Sequence, residues 1–183
     1  MGTRSDTKEK IQDVALDLFG EQGYDKTSLR EIAERLGVTK AALYYHFKTK
    51  EEIITSLLQA TGERLDEISA WLADKEPTPE NRRELLERYA AAISQGGRHF
   101  KLMRLMQENQ PALRELGAGL KGHERMKVLV EFLTDPGASL ADQLRARLSL
   151  VVLHMGPFTL QESGATEAEK QAAALEVGLG LLG

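Results

Sequence analysis

Between Thr39 and Ile53 the sequence reads TKAALYYHFKTKEEI, which gathers two phenols, Tyr44 and Tyr45, an imidazole, His46, and three ammonium groups, Lys40, Lys48 and Lys50. These groups donate hydrogen bonds and carry positive charge, but they are not arranged as the paired acid and base that bond-breaking chemistry requires. Their spacing suits recognition of an anion or of a hydrogen-bonding edge. The chain has no cysteine, so disulfides, thiolate metal ligands and thiol nucleophiles are all excluded, and a reducing compartment is expected. His99, His123 and His154 fall on three separate predicted helices without a ligand at helical spacing, so neither a metal nor a cofactor is expected. GAGLKG, Gly117 to Gly122, has the spelling of a dinucleotide-binding loop, but PALREL before it reads as helix and not as strand, so a helix break is expected there.

The elements that must position these groups are helices. No segment alternates apolar and polar residues over a useful length, whereas helical spacing recurs throughout, and the expected fold class is all-α. A first helix spans about Thr7 to Gln22 and closes at Gly23; a second opens at the capping box Ser28-x-x-Glu31 and stops at Gly37. A short third runs from Thr39 to about His46, and a long fourth starts at a second box, Thr49-x-x-Glu52, and reaches about Ala73. After the loop DKEPTPEN, helices are expected over about 79–94, 97–107, 111–133, 139–155 and 166–182. This divides the chain into a three-helix unit, residues 1–50, and a helical body, residues 51–183, with the helix over 49–73 connecting them.

Helices two and three meet at the turn LGVT, where Ala33, Gly37, Val38 and Leu43 supply the small, turn-tolerant and apolar residues of a helix-turn-helix. A helical wheel puts Lys40, Ala41, Tyr44 and Tyr45 on the outward side of helix three, Ala42 and Leu43 on the docking side, and His46 on the inner arc. Such an outward face fits a helix that enters a DNA major groove, although half-buried tyrosines packed on the long helix would give the same pattern. Charge is compatible with this. Residues 1–50 hold nine Lys and Arg against eight Asp and Glu, and the remainder hold 15 against 20, so only the N-terminal piece would not be repelled by phosphate.

The string ALDLFGEQGYDKTSLREIAERLGVTKAALYYHFKTKEEII resembles the DNA-binding domain of the tetracycline-repressor (TetR) family. The resemblance lies in L-F-x-x-x-G-Y, T-S-x-R-x-I-A, G-V-T-K, L-Y-Y-H-F and K-T-K-E-E, and it covers roughly residues 7 to 58. It implies a homodimeric, ligand-responsive transcriptional repressor on a palindromic operator in double-stranded DNA, released by a small-molecule effector. The resemblance makes Thr39, Lys40, Ala41, Tyr44 and Tyr45 groove-facing, assigns Lys50 and His46 to the DNA backbone, and offers the hydroxyls of Thr27 and Ser28 to phosphate. Arg30 matches a base-reading position, and a solvated pair with Glu34 is the alternative. Phe47 is assigned to the core.

The resemblance also implies an effector cavity in the body, between the fourth helix and those after it. His99, Met103, Met126 and His154 are the candidate lining, since methionine fills irregular space and histidine offers a polar contact. LSLVVLHM and ALEVGLGLLG carry more apolar surface than one chain can cover, which points to dimerisation through the last two helices. The longest apolar run, Leu148 to Leu160, is too short for a membrane span, and the N-terminus lacks a signal-peptide core, so a soluble cytoplasmic protein is expected. Competing readings are a helical enzyme or small-molecule carrier with an incidental N-terminal unit, and an architectural DNA binder without a ligand.

Overall fold

The computed structural model describes residues 4–94, 98–108 and 122–183, except for the side chains of residues 4, 5, 99, 100, 103, 107 and 108. Among the described residues every regular element is helical: α1 (Arg4–Gln22), α2 (Leu29–Leu36), α3 (Lys40–His46), α4 (Lys50–Leu72), α5 (Pro79–Ile93), α6 (Arg98–Glu108), α7 (Gly122–Leu133), α8 (Leu140–Thr159) and α9 (Glu167–Gly180), with a short 3-10 turn at Gln161–Ser163. No helix among them is long and apolar enough to cross a membrane.

The ends of α1 to α3 follow from local chemistry. Gly23 leaves α1 at φ 94°, a left-handed conformation that glycine adopts at little cost. Ser28 caps α2, and the Glu31 carboxylate accepts the Ser28 amide at 2.8 Å, completing the reciprocal box. Gly37 closes α2 at φ 73°, with Val38 N donating to Ala33 O at 3.0 Å and Gly37 N to Glu34 O at 3.2 Å. Thr39 caps α3, accepting the Ala42 amide. The box expected at α4 forms differently. Thr49 Oγ1 accepts from Glu52 N at 3.1 Å, but the Glu52 carboxylate takes the amide of Lys48, one residue earlier than the pattern predicts.

The described residues fall into two compact units, one within Met1–Ala60 and Lys101–Leu120, the other within Thr61–Phe100 and Lys121–Gly183. In the first, Phe19, Ile32, Leu43, Phe47 and Ile54 are buried together, and Leu102 and Leu105 of α6 join them. Sequence periodicity alone assigned α6 wholly to the body. Polar contacts fasten α6 to α1: Lys101 pairs with Asp17, and Arg104 donates to Gly20 O at 3.2 Å. Inside the unit Gln12 is buried and donates to Ser56 Oγ at 2.8 Å, so its amide has a partner within the core.

In the second unit Leu85, Tyr89 and Leu129 are completely buried, with Ile68, Leu153 and Ala174 around them. α8 runs to Thr159, past its expected end near residue 155, with Pro157 inside it, whose missing N–H costs the helix one i→i−4 bond without ending it. α8 and α9 approach closely through small residues. A Cβ on Gly156 would stand 2.9 Å from Ala174 Cβ, and one on Gly178 would stand 3.1 Å from Ser149 O. Gly156→Leu is therefore expected to lower stability by about 2–3 kcal/mol through overpacking, whereas Gly180→Ala, with nothing within 4 Å of its Cβ, should cost nothing. Urea denaturation followed by circular dichroism checks this; equal midpoints for the two variants would show that the α8–α9 contact is not close-packed.

Candidate nucleic-acid interface

α3 lies on the first unit along a single line of contact. Leu43 within the helix and Phe47 just after it are buried, and the seven-residue helix is too short to hold down more. Thr39, Lys40 and Ala41 are exposed, and Tyr45 is 63% exposed. Two positions differ from the helical wheel. Ala42, expected on the docking side, is exposed, because α3 turns Leu43 and Tyr44 towards the core and leaves Ala42 in solvent. Tyr44, expected to face outward, is half-buried with its ring against the core, and the Lys40 ammonium stands 5.2 Å from that ring's centre. His46 is half-buried and edge-on to Tyr45, with ring centres 5.3 Å apart. The outward surface is thus Thr39, Lys40, Ala41, Ala42 and Tyr45, with Tyr44 at its shoulder.

Around α3 the remaining candidates divide. Ser28 is exposed at the N-terminus of α2, but its hydroxyl donates to the Glu31 carboxylate at 2.7 Å and accepts from Glu31 N at 3.2 Å, so the group expected on phosphate is engaged in the cap. Thr27 departs from expectation. It is 2% exposed, its hydroxyl donates to Gly23 O at 2.8 Å and accepts from Gln22 Nε2 at 3.3 Å, and a hydroxyl held this way fixes the turn and has none to offer to phosphate. Arg30 is well exposed and its Nε donates to Glu34 at 2.7 Å, the intrahelical pair that was the alternative to base reading. An exposed pair of this kind contributes little to stability and opens readily.

Lys50, expected on phosphate, has its Nζ donating to the carbonyl oxygens of Tyr24 at 2.6 Å and Asp25 at 3.4 Å, and 4.4 Å from the centre of the Tyr24 ring. Tyr24 in turn donates its hydroxyl to Glu51 Oε1 at 2.8 Å. Burial, with the Glu51 carboxylate second, holds the Tyr24 phenol well above its usual range, so it stays protonated and keeps donating. Sequence reasoning missed this network. Its only trace in the sequence is Tyr24 after the α1 exit together with Lys50-Glu51, residue types that pair only once the fold is known. Lys48, to which the resemblance assigns no contact, is exposed beside α3 with its ammonium on Tyr44 O.

Residues 11–57 match the family model described as bacterial regulatory proteins, tetR family. Over these residues the chain is similar to the TetR family. The TetR-family segment is 41% identical over 63 residues to the HTH-type transcriptional regulator AcrR of Shigella flexneri, a match covering 34% of this chain and 29% of that protein. It is 43% identical over 61 residues to IcaR of Staphylococcus aureus strain Newman, a negative transcriptional regulator of a biofilm operon, covering 33% of each. The likeness thus spans a third or less of the curated relatives' length. Solved structures agree over nearly the whole chain. A transcriptional regulator of Aquifex aeolicus superposes with TM-score 0.68 at 25% identity, covering 97% of this chain and 99% of that one. AmtR of Mycobacterium smegmatis gives TM-score 0.75 at 24% identity, covering 100% and 87%, a likeness of fold. The likeness of the all-α fold to these regulators therefore extends beyond the matched segment.

Of the candidate effector residues, the side chains of His99 and Met103 lie outside the described residues. Met126 is half-buried against the second core. His154 lies edge-on to Tyr89, ring centres 5.3 Å apart, with its Nε2 on the Tyr89 hydroxyl. Burial pulls the His154 imidazole down to about 4, so it is neutral near pH 7 and pairs with a phenol that burial keeps protonated. The void beside it, between Ile93, Leu153, Pro157 and Gln171, has a volume of about 20 Å³, room for a water but not for an effector.

Proposed function

We propose that the chain is a transcriptional repressor that binds double-stranded DNA as a homodimer and is released by a small molecule. The observation that carries the reading is the outward surface of α3. A short helix held down by Leu43 presents Thr39, Lys40, Ala41, Ala42 and Tyr45 to solvent, with a capped helix N-terminus at Ser28 nearby. Donors of this kind reach phosphates and base edges, while the exposed methyl groups of Ala41 and Ala42 leave room for close approach to the groove. The TetR-family match and the IcaR description as a negative regulator support the repressor half.

The homodimer is supported by the face that α8 and α9 leave uncovered. Leu140, Leu144, Leu148 and Val151 are between 41% and 84% exposed along one side of α8, and Phe158 and, on α9, Val177 are exposed too. Their spacing of four, four and three residues is that of a helix-packing seam, and a second copy offers the matching apolar surface by symmetry. Twofold symmetry would match a palindromic operator. The effector half rests on Tyr89 and His154, a polar pair inside an apolar core of the kind that orients a buried ligand. A ligand would have to open the small void there. To weaken DNA binding about 100-fold it must favour the non-binding state by about 2.7 kcal/mol, an ordinary coupling energy.

Lys40→Ala with Tyr45→Ala tests the reading. On a duplex enriched from a random library, affinity is expected to fall at least about 30-fold with the unfolding midpoint unchanged, since two donor contacts of about 1–3 kcal/mol each are lost. Unchanged affinity would remove α3 from the interface. Tyr44 is left intact because its ring packs on the core.

A further inference from the structure

The outward surface of α3 is short of side chains that tell bases apart by hydrogen bonds. Among Thr39, Lys40, Ala41, Ala42 and Tyr45 there is no arginine, asparagine or glutamine, the types that grip guanine or adenine with two bonds. Thr39 Oγ1 accepts the Ala42 amide at 3.1 Å, and Arg30, on α2, is paired with Glu34. Lys40 can meet guanine or phosphate but carries no information about A·T pairs. What the middle of the surface presents is methyl groups. Ala41 and Ala42 are both exposed, and Tyr45 follows them at four and three residues, the spacing of neighbours on a helix surface.

The rotation of α3 is fixed. Leu43 is completely buried, Phe47 nearly so, and the Tyr44 ring rests against the same core, so the two alanines cannot turn away from the groove that receives the helix. In the major groove one base-edge feature is apolar, the 5-methyl group of thymine. Every other base-edge atom pressed against Ala41 or Ala42 would be a donor or acceptor stripped of water with nothing to bond. Alanine is also short enough to let the α3 backbone approach until methyl meets methyl at van der Waals distance. The patch therefore favours thymine by attraction and disfavours the other bases by desolvation.

We propose that Ala41 and Ala42 are specificity-determining residues that read thymine through its 5-methyl group, so that each half-site carries thymine where it faces the middle of α3. The inference rests on the DNA-binding reading above. Burial of one methyl group corresponds to about fourfold in affinity, so removing that methyl from both half-sites of a symmetric duplex should weaken binding about 15-fold.

The test uses the full chain and the duplex enriched from a random library, with affinity read by fluorescence anisotropy. Deoxyuridine, which lacks only the methyl, replaces each thymine of the consensus in turn, in both half-sites together. A loss of about 15-fold is expected at the position facing the alanines, and less than about twofold at thymines elsewhere. At the sensitive position a 5-methylcytosine·guanine pair should bind more tightly than cytosine·guanine, since the methyl returns to the same place on a different base. In Ala41→Gly or Ala42→Gly the ratio of thymine to deoxyuridine affinity should fall towards one; because both duplexes meet the same variant, any loss of helix stability cancels. The duplex substitutions leave the protein untouched and decide the matter even where a glycine variant fails to fold. A consensus without thymine, equal binding of thymine and deoxyuridine duplexes at every position, or a ratio undiminished in both folded variants overturns methyl readout and leaves DNA binding standing. A wild-type chain that enriches no duplex refutes the DNA-binding reading itself, and the methyl readout falls with it.

Discussion

Leu144→Glu combined with Val151→Glu is expected to convert the protein to a monomer and to weaken its binding to a twofold-symmetric duplex by about 100-fold or more. Both side chains lie on the uncovered side of α8, 55% and 48% exposed, so the substitutions leave the buried core of the chain intact. Paired across a twofold axis, however, they bring like charges together in what would have been an apolar seam. The loss for DNA follows because two domains joined at fixed separation engage two half-sites with an effective concentration that separate monomers lack. Sedimentation velocity reads the first effect and anisotropy the second. A dimer that persists in the double variant would assign the interface to another surface; a monomer that binds as tightly as wild type would refute twofold recognition.

The second large effect concerns pH. His154 titrates near 4 in the folded chain and near 6.5 when exposed, because burial disfavours the imidazolium. Between these values the unfolded state binds the extra proton, so stability rises with pH in this window and is lost as pH falls from about 6.5 towards 4. The loss from this one residue is at most about 3 kcal/mol. His154→Gln keeps a polar partner for the Tyr89 hydroxyl and removes the titration, so its stability should change much less across the window than that of wild type. Urea unfolding at pH 7 and pH 4.5 measures the difference, and carboxylates common to both proteins cancel in the comparison. Parallel losses in the two proteins would show that His154 does not carry the pH dependence.

Local chemistry made the frame legible. Ser28-x-x-Glu31, Gly37, Thr39 and Thr166-x-x-Glu169 each end or begin a helix through bonds between near neighbours, and every one of these caps is present. What escaped the sequence depends on which elements pack against each other. Leu102 and Leu105 have the spacing of an ordinary body helix, and nothing local shows that they enter the first unit's core. A wheel assigns half of a helix to the interior, but α3 turns Leu43 and Tyr44 against the core, so Ala42 is exposed. Thr27 and Lys50 carry polar groups of the kind that meet phosphate, yet both spend them on the backbone of the α1–α2 turn. In each case the residue type was read correctly, and its direction was fixed by tertiary contacts.

In the proposed function α3, repeated by a twofold axis, reads DNA. Selection from a random duplex library with the purified full chain tests it most directly. The expected product is an enriched inverted repeat whose half-sites are centred about one helical turn apart, the spacing at which two α3 helices enter successive major grooves. Lys40→Ala with Tyr45→Ala should abolish that enrichment. A library that emerges without any consensus from the wild-type chain, or a consensus that the double variant enriches equally well, would contradict it.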